Sequence, residues 1–157
     1  MGGSVPTWDG RKPVKEGVAM EPSSELRELY LQSCEAMSKG DSAFFEHHFS
    51  QKDGVLAIGT DPAEWWAGHD TIIRVFKAQL EEAGGFEVAP GTPQAYRDGS
   101  VGWVAGRPTV KLADGTEIPT RLTAVFQKEQ DGWKIVQWHF SAGVPNEDLI
   151  DEKLTTR

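Results

Sequence analysis

RLTAVFQKEQDGWKIVQWHFS, residues 121–141, alternates apolar and polar side chains on both sides of the pair Asp131-Gly132. Alternation is the period of a strand with one buried face, and Asp-Gly accepts the positive φ that a tight hairpin needs. Leu122, Ala124 and Phe126 share one parity; Arg121, Thr123 and Val125 share the other. On the return, Val136, Trp138 and Phe140 alternate with Ile135, Gln137, His139 and Ser141. A three-residue turn with a bulge brings both apolar sets to one face and leaves Arg121, Gln137 and His139 on the other. A slip of one residue swaps the two roles.

Two further pairs, Asp98-Gly99 and Asp114-Gly115, precede that turn at intervals of about sixteen residues. They divide the second half into four long strands, about 86–97, 100–112, 116–129 and 133–142, paired in sequence as an antiparallel meander. The first half reads differently. Ser23 or Ser24 caps a helix to about Lys39, closed by Gly40, with Leu26, Leu29, Tyr30, Ser33 and Met37 on one face. Asp41 caps a short helix, 42 to about 48, anchored by Phe44, Phe45 and Phe49. One strand spans about 55–60. A third helix begins with Asp70 as its cap, carries Ile72, Ile73, Phe76 and Leu80, and ends at Gly84-Gly85. Three helices before a meander make an α+β fold.

Residues 1–22, rich in Gly and Pro, read as a flexible arm whose one large aromatic, Trp8, is either exposed or docked on the body or a partner chain, and residues 146–157 as an acidic tail. The 157 residues in total suit one domain with its own core. A net charge of −8 argues against nucleic acid, and no Lys/Arg run long enough for an anionic membrane surface is present. The lone cysteine, Cys34, has no internal disulfide partner and suits a helix-borne core filler. There is no apolar span or signal core, and Pro6 spoils a Met1-Gly2 myristoylation signal. A cytoplasmic protein is expected.

Asp61 ends the strand in GVLAIGTDP, residues 54–62, just before Trp65 and Trp66. A carboxylate against aromatics can have its pKa raised and act as a general base, whereas Asp before Pro is also ordinary turn chemistry. Of the two indoles, Trp66 is the expected pocket wall. Trp103, Trp138 and Phe140 are candidates to stack on a flat ligand, with core packing as the alternative. Arg121 can hold an acidic group or pair with a surface carboxylate. His139 reads as a ligand contact or as a hydrogen-bonded histidine at a subunit contact. His47 and His48 diverge on a helix and His69 stands alone, so no metal site is expected, and no Gly-rich loop offers a phosphate cradle.

The order of helices, the strand ending in Thr60-Asp61-Pro62, the step Trp66-Ala67-Gly68 into a helix and the ending GWKIVQWHFS, residues 132–141, resemble the nuclear transport factor 2-like (NTF2-like) superfamily. Within it the chain is most similar to the SnoaL-like and ketosteroid-isomerase-like branch, over roughly residues 23–145. That resemblance implies a curved sheet wrapped around a long helix, a cone with a pocket at its open end, and dimerisation through the sheet. It also implies Asp61 as the base, with Tyr30 one turn from the place of the oxyanion-binding tyrosine and Ser33 nearer to it. The second acid of that site has no counterpart, because 121–127 contains no Asp or Glu.

Three functions follow as expectations. One is a cofactor-free isomerase, cyclase or lyase acting through Asp61 and Tyr30 on a hydrophobic carbonyl compound. Another is a non-catalytic module for a small hydrophobic or aromatic ligand. The last is a homodimeric assembly module.

Overall fold

The computed structural model describes residues 20–83 and 86–157. Trp8, most of the N-terminal arm and the Gly84-Gly85 helix end lie outside the described residues. The last arm residues form a short strand, β1 (Glu21–Pro22), paired antiparallel with β5 (Gln94–Asp98). Arg97 Nη2 donates to Glu21 Oε1 at 3.0 Å across that pairing.

Helix α1 (Ser24–Lys39) starts where the Ser23 hydroxyl accepts the Leu26 N–H, and stops at Gly40, whose φ of +68° closes the last turn. Its buried stripe is Leu26, Tyr30, Ser33 and Cys34, steps of three and four that keep one face inward. Helix α2 (Ser42–His48) is capped by Asp41, which accepts from Phe44 N, and it inserts Phe45 into the core. Helix α3 (His69–Glu82) begins two residues earlier than its sequence suggests. Gly68 occupies the cap position without a side-chain bond, and Asp70 sits in the first turn.

The sheet runs β1-β5-β6 (Val101–Gly106)-β8 (Glu117–Glu129)-β9 (Gly132–Ala142)-β2 (Leu56–Ile58)-β3 (Trp65–Ala67). Its spine is the long hairpin of β8 (Glu117–Glu129) and β9 (Gly132–Ala142). The register there is Leu122 opposite Phe140 and Ala124 opposite Trp138, with an irregularity at Val125/Phe126 that leaves Val136 as the extra residue. The turn itself has two residues, Gln130 and Asp131. The bulge therefore lies inside the strand rather than at the turn, and it lets Ile135 and Trp138 both face inward, which corrects the expectation that Ile135 shares the outward set and Val136 the inward one.

Three corrections concern strands. The stretches 86–97 and 100–112 are each two strands: β4 (Phe86–Ala89) and β5, then β6 (Val101–Gly106) and β7 (Thr109–Leu112). Pro90 and Pro93 interrupt the first and Pro108 the second, because proline brings no N–H to a ladder. Residues Trp65–Ala67 form a strand, β3, in a hairpin with β2 (Leu56–Ile58). Finally, β2 pairs in parallel with β9, so the sheet is mixed. The last described residues include a short exposed helix, α4 (Asn146–Ile150), in the tail.

Candidate functional site

Inward-facing side chains of the sheet meet the helices in one core of Leu26, Tyr30, Phe45, Phe49, Ile72, Val104, Leu122, Phe126 and Trp138, among others. At the end of the core where α3 crosses toward β4 and β7, the packing is incomplete. A hollow of about 410 Å3 opens there. Its walls are Met37 of α1, Phe45 of α2, Trp66 of β3, and Phe76 and Leu80 of α3. Phe86, Val110 and Leu112 close the β4–β7 side, and Trp138 and Phe140 rise from β9. The aromatic rings meet edge to face: Phe45 and Phe76 lie 5.1 Å apart, Phe45 and Trp138 5.6 Å, and Trp66 and Phe76 6.2 Å. Rigid rings held this way keep a cavity open, because none can fold into the space left by another.

Three of the expected ligand-binding residues, Trp66, Trp138 and Phe140, line this hollow. Trp103, Arg121 and His139 do not. Trp103 pairs across the ladder with Tyr96 and Val125, and its ring lies 6.4 Å from that of Tyr96. Its neighbours Gly102 and Val104 are buried, so strand alternation turns the Trp103 indole to the outward face. His139, opposite Thr123 and Ile58, and Arg121, opposite Ser141, share that face for the same reason.

Asp61 is exposed and does not line the hollow. Its Oδ1 accepts the Ala63 N–H at 2.8 Å, while its own N–H donates to Glu64 Oε2 at 3.0 Å. With Pro62 next and Glu64 three residues on, this is close to the reciprocal capping box of a helix start, used here to turn the chain between β2 and β3. Tyr30 is 1% exposed and also lies outside the hollow. Its hydroxyl donates to the Pro90 carbonyl at 2.8 Å, and its ring fills the space over Gly106, where a Cβ would collide with it. Burial, and then the neighbouring Cys34, push the Tyr30 phenol well above its ordinary range. Burial likewise pushes the Cys34 thiol up to about 11. Ser33 is turned back onto the Tyr30 carbonyl at 2.7 Å.

The carboxylate that does reach the hollow is Glu64. Its Oε1 accepts from Gln79 Nε2 of α3 at 2.6 Å, and Gln79 lines the rim beside it. The spacing Asp61-Pro62-Ala63-Glu64 was the available signal, since a capping box predicts that its Glu folds back. Among the described residues, no group of three His, Cys, Asp or Glu side chains is placed to hold a metal ion. No described helix is long and apolar enough to cross a membrane.

The SnoaL-like domain family matches residues 26–145. The chain belongs to that family. Solved structures repeat its fold. An NTF2-like protein of unknown function from Pseudomonas putida KT2440 superposes with a TM-score of 0.71 at 15% identity, covering 85% of this chain and 94% of that one. A candidate dehydratase of the NTF2-like family from Streptomyces avermitilis gives 0.68 at 16%, covering 76% and 94%. A candidate calcium/calmodulin-dependent protein kinase type II association domain from Thiobacillus denitrificans gives 0.64 at 19%, covering 81% and 100%. No curated protein matches. Likeness at these identities establishes the NTF2-like, cystatin-like fold, on which one neighbour is described as a dehydratase and another as an association domain.

Proposed function

We propose that this SnoaL-like protein binds a small, flat, apolar compound in the hollow between α3 and the sheet. The observation that carries this is the hollow itself: about 410 Å3, walled by six aromatic side chains and several aliphatic ones, with Thr60, Glu64 and Gln79 as its polar side chains among the described residues. Isomerase, cyclase or lyase chemistry through Asp61 draws on its place at a strand end beside Trp65 and Trp66 and on the family resemblance. A general base must reach a substrate proton within about 3.2 Å, and the Asp61 carboxylate is exposed and engaged with its own turn.

Titration with the neutral fluorophore N-phenyl-1-naphthylamine tests the reading. One equivalent should bind with a rise in emission. Leu80→Trp and Val110→Trp, which put indoles into the hollow from two of its walls, should each weaken binding at least about tenfold. Asp61→Asn should leave it within twofold of the parent (about 0.4 kcal/mol). An unbound probe, or binding indifferent to both indoles, rules the hollow out.

A second reading, compatible with the first, is homodimerisation through the outward sheet face. Trp65 is 66% exposed there, in a row with Ile58, His139 and Thr123, and Tyr96 and Trp103 stand on the same side. An exposed indole among half-buried aromatics is the makeup of a contact surface. Sedimentation should show a dimer at micromolar concentration, and Trp65→Glu together with Trp103→Glu should return it to monomer.

A further inference from the structure

We propose that Glu64, held by Gln79 and by the backbone around Gly59, selects ligands that present a hydroxyl or similar hydrogen-bond donor at the mouth of the hollow. The inference rests on the reading of the hollow as a ligand site and adds the polar chemistry of its occupant.

Two independent features hold this carboxylate at the rim. First, each oxygen has one partner among the described residues: Oε1 takes the Gln79 amide and Oε2 the Asp61 N–H. An ionised carboxylate offers about four acceptor positions, so about two remain for an outside donor. Second, the side chain lies across the α-carbon of Gly59. A Cβ at that position would run into Glu64 Oε2, Cδ and Cβ, so any other residue there expels the carboxylate from its seat. The Gly59 N–H meanwhile donates to the Glu64 carbonyl at 3.0 Å, tying the two residues together across the β2–β3 hairpin. Gly59 has no positive φ and is required for space rather than for backbone freedom.

The surroundings dictate what such a group recognises. Beyond the polar rim of Thr60, Glu64 and Gln79 the walls are apolar, and a carboxylate at the mouth of such a hollow gains most from a donor that replaces the water it loses on ligand entry. A ring compound carrying a phenolic or alcoholic O–H at its edge fits both halves of the site. Its methyl ether fills the same space but leaves Glu64 without that partner, and the penalty for an unmet polar group is larger than the gain from a met one.

The test uses the full chain and two probes, 2-naphthol and 2-methoxynaphthalene, each displacing N-phenyl-1-naphthylamine. The parent protein should prefer 2-naphthol by about tenfold or more. Glu64→Met and Gly59→Ala should each bring that preference to within twofold, while the fluorophore still binds. The Gly59→Ala variant keeps the carboxylate and only unseats it, so it reads position rather than charge. A turn-capping role alone would shift thermal stability in both variants and leave the preference standing. Equal binding of the two probes by the parent, or a preference that survives either substitution, overturns the role of Glu64 and spares the hollow. Failure of all three compounds to bind removes both.

Discussion

The two ends of the interior are lined by similar residues and packed in opposite ways. At the closed end, α1 lies along β4, β5 and β6, and glycines stand where helix side chains meet the sheet. Leu26 presses on Gly102 and Tyr30 on Gly106, each so close that a Cβ could not be added without movement. At the open end, α3 packs on α2, on β2 and on the edge strand β3, and rings face rings. Of the α3 stripe, Ile72 alone is fully buried, while Phe76 and Leu80 remain partly accessible. Helix-to-sheet distance is thus set by the smallest residue at each contact. Glycine draws the layers together, and large planar side chains hold them apart.

The largest expected effect breaks the comparison most directly. Leu26→Ala should cost about 3 kcal/mol or more of unfolding free energy, because the closed end has no room to relax around the void. Leu80→Ala should cost about 1 kcal/mol or less, since that side chain already borders open space. Urea melts of both variants decide it; equal losses would mean that the two ends are packed alike.

Tyr30→Phe sharpens the contrast at intermediate size. It removes one hydrogen bond to Pro90 and keeps the ring over Gly106, so stability should fall by about 1 kcal/mol. Binding of N-phenyl-1-naphthylamine should not change. A large loss of binding would return Tyr30 to the site.

The smallest effect concerns His48 at the end of α2. It stacks on Phe44 at 4.1 Å, and its Nδ1 lies 2.8 Å from the Phe44 carbonyl. Burial is the main cause that holds its pKa below the ordinary 6.5, with His47 and Lys134 adding in the same direction and the backbone bond opposing them. The unfolded chain therefore takes up this proton at a higher pH than the folded one. Stability from the neutral ring is present above about pH 6.5 and is lost as pH falls through and below it. His48→Gln should flatten that part of a thermal-stability profile measured between pH 7.5 and 5.5. An unchanged slope would show that carboxylates elsewhere set the acid limb.

Most of the architecture was legible because it is written in local signals. Ser23, Gly40, Asp41 and the three Asp-Gly pairs mark ends and turns by backbone chemistry that acts within a few residues. The parity of 121–141 placed His139 and Arg121 outward and Trp138 and Phe140 inward, as observed. Two strand breaks do not show in the alternation of side chains, and Pro90, Pro93 and Pro108 are their only local sign. The strand at Trp65–Ala67 was hidden because three residues are too few to show a period.

The chain's own order of residues is enough to specify the helices, the long hairpin and the SnoaL-like family, since each depends on neighbours along the backbone. Where the hollow lies, that Glu64 and not Asp61 reaches its rim, and that Tyr30 is sealed beneath Gly106 were settled only in three dimensions. Those outcomes turn on clearances between elements distant in sequence, and differences of a few ångströms there have no local sign.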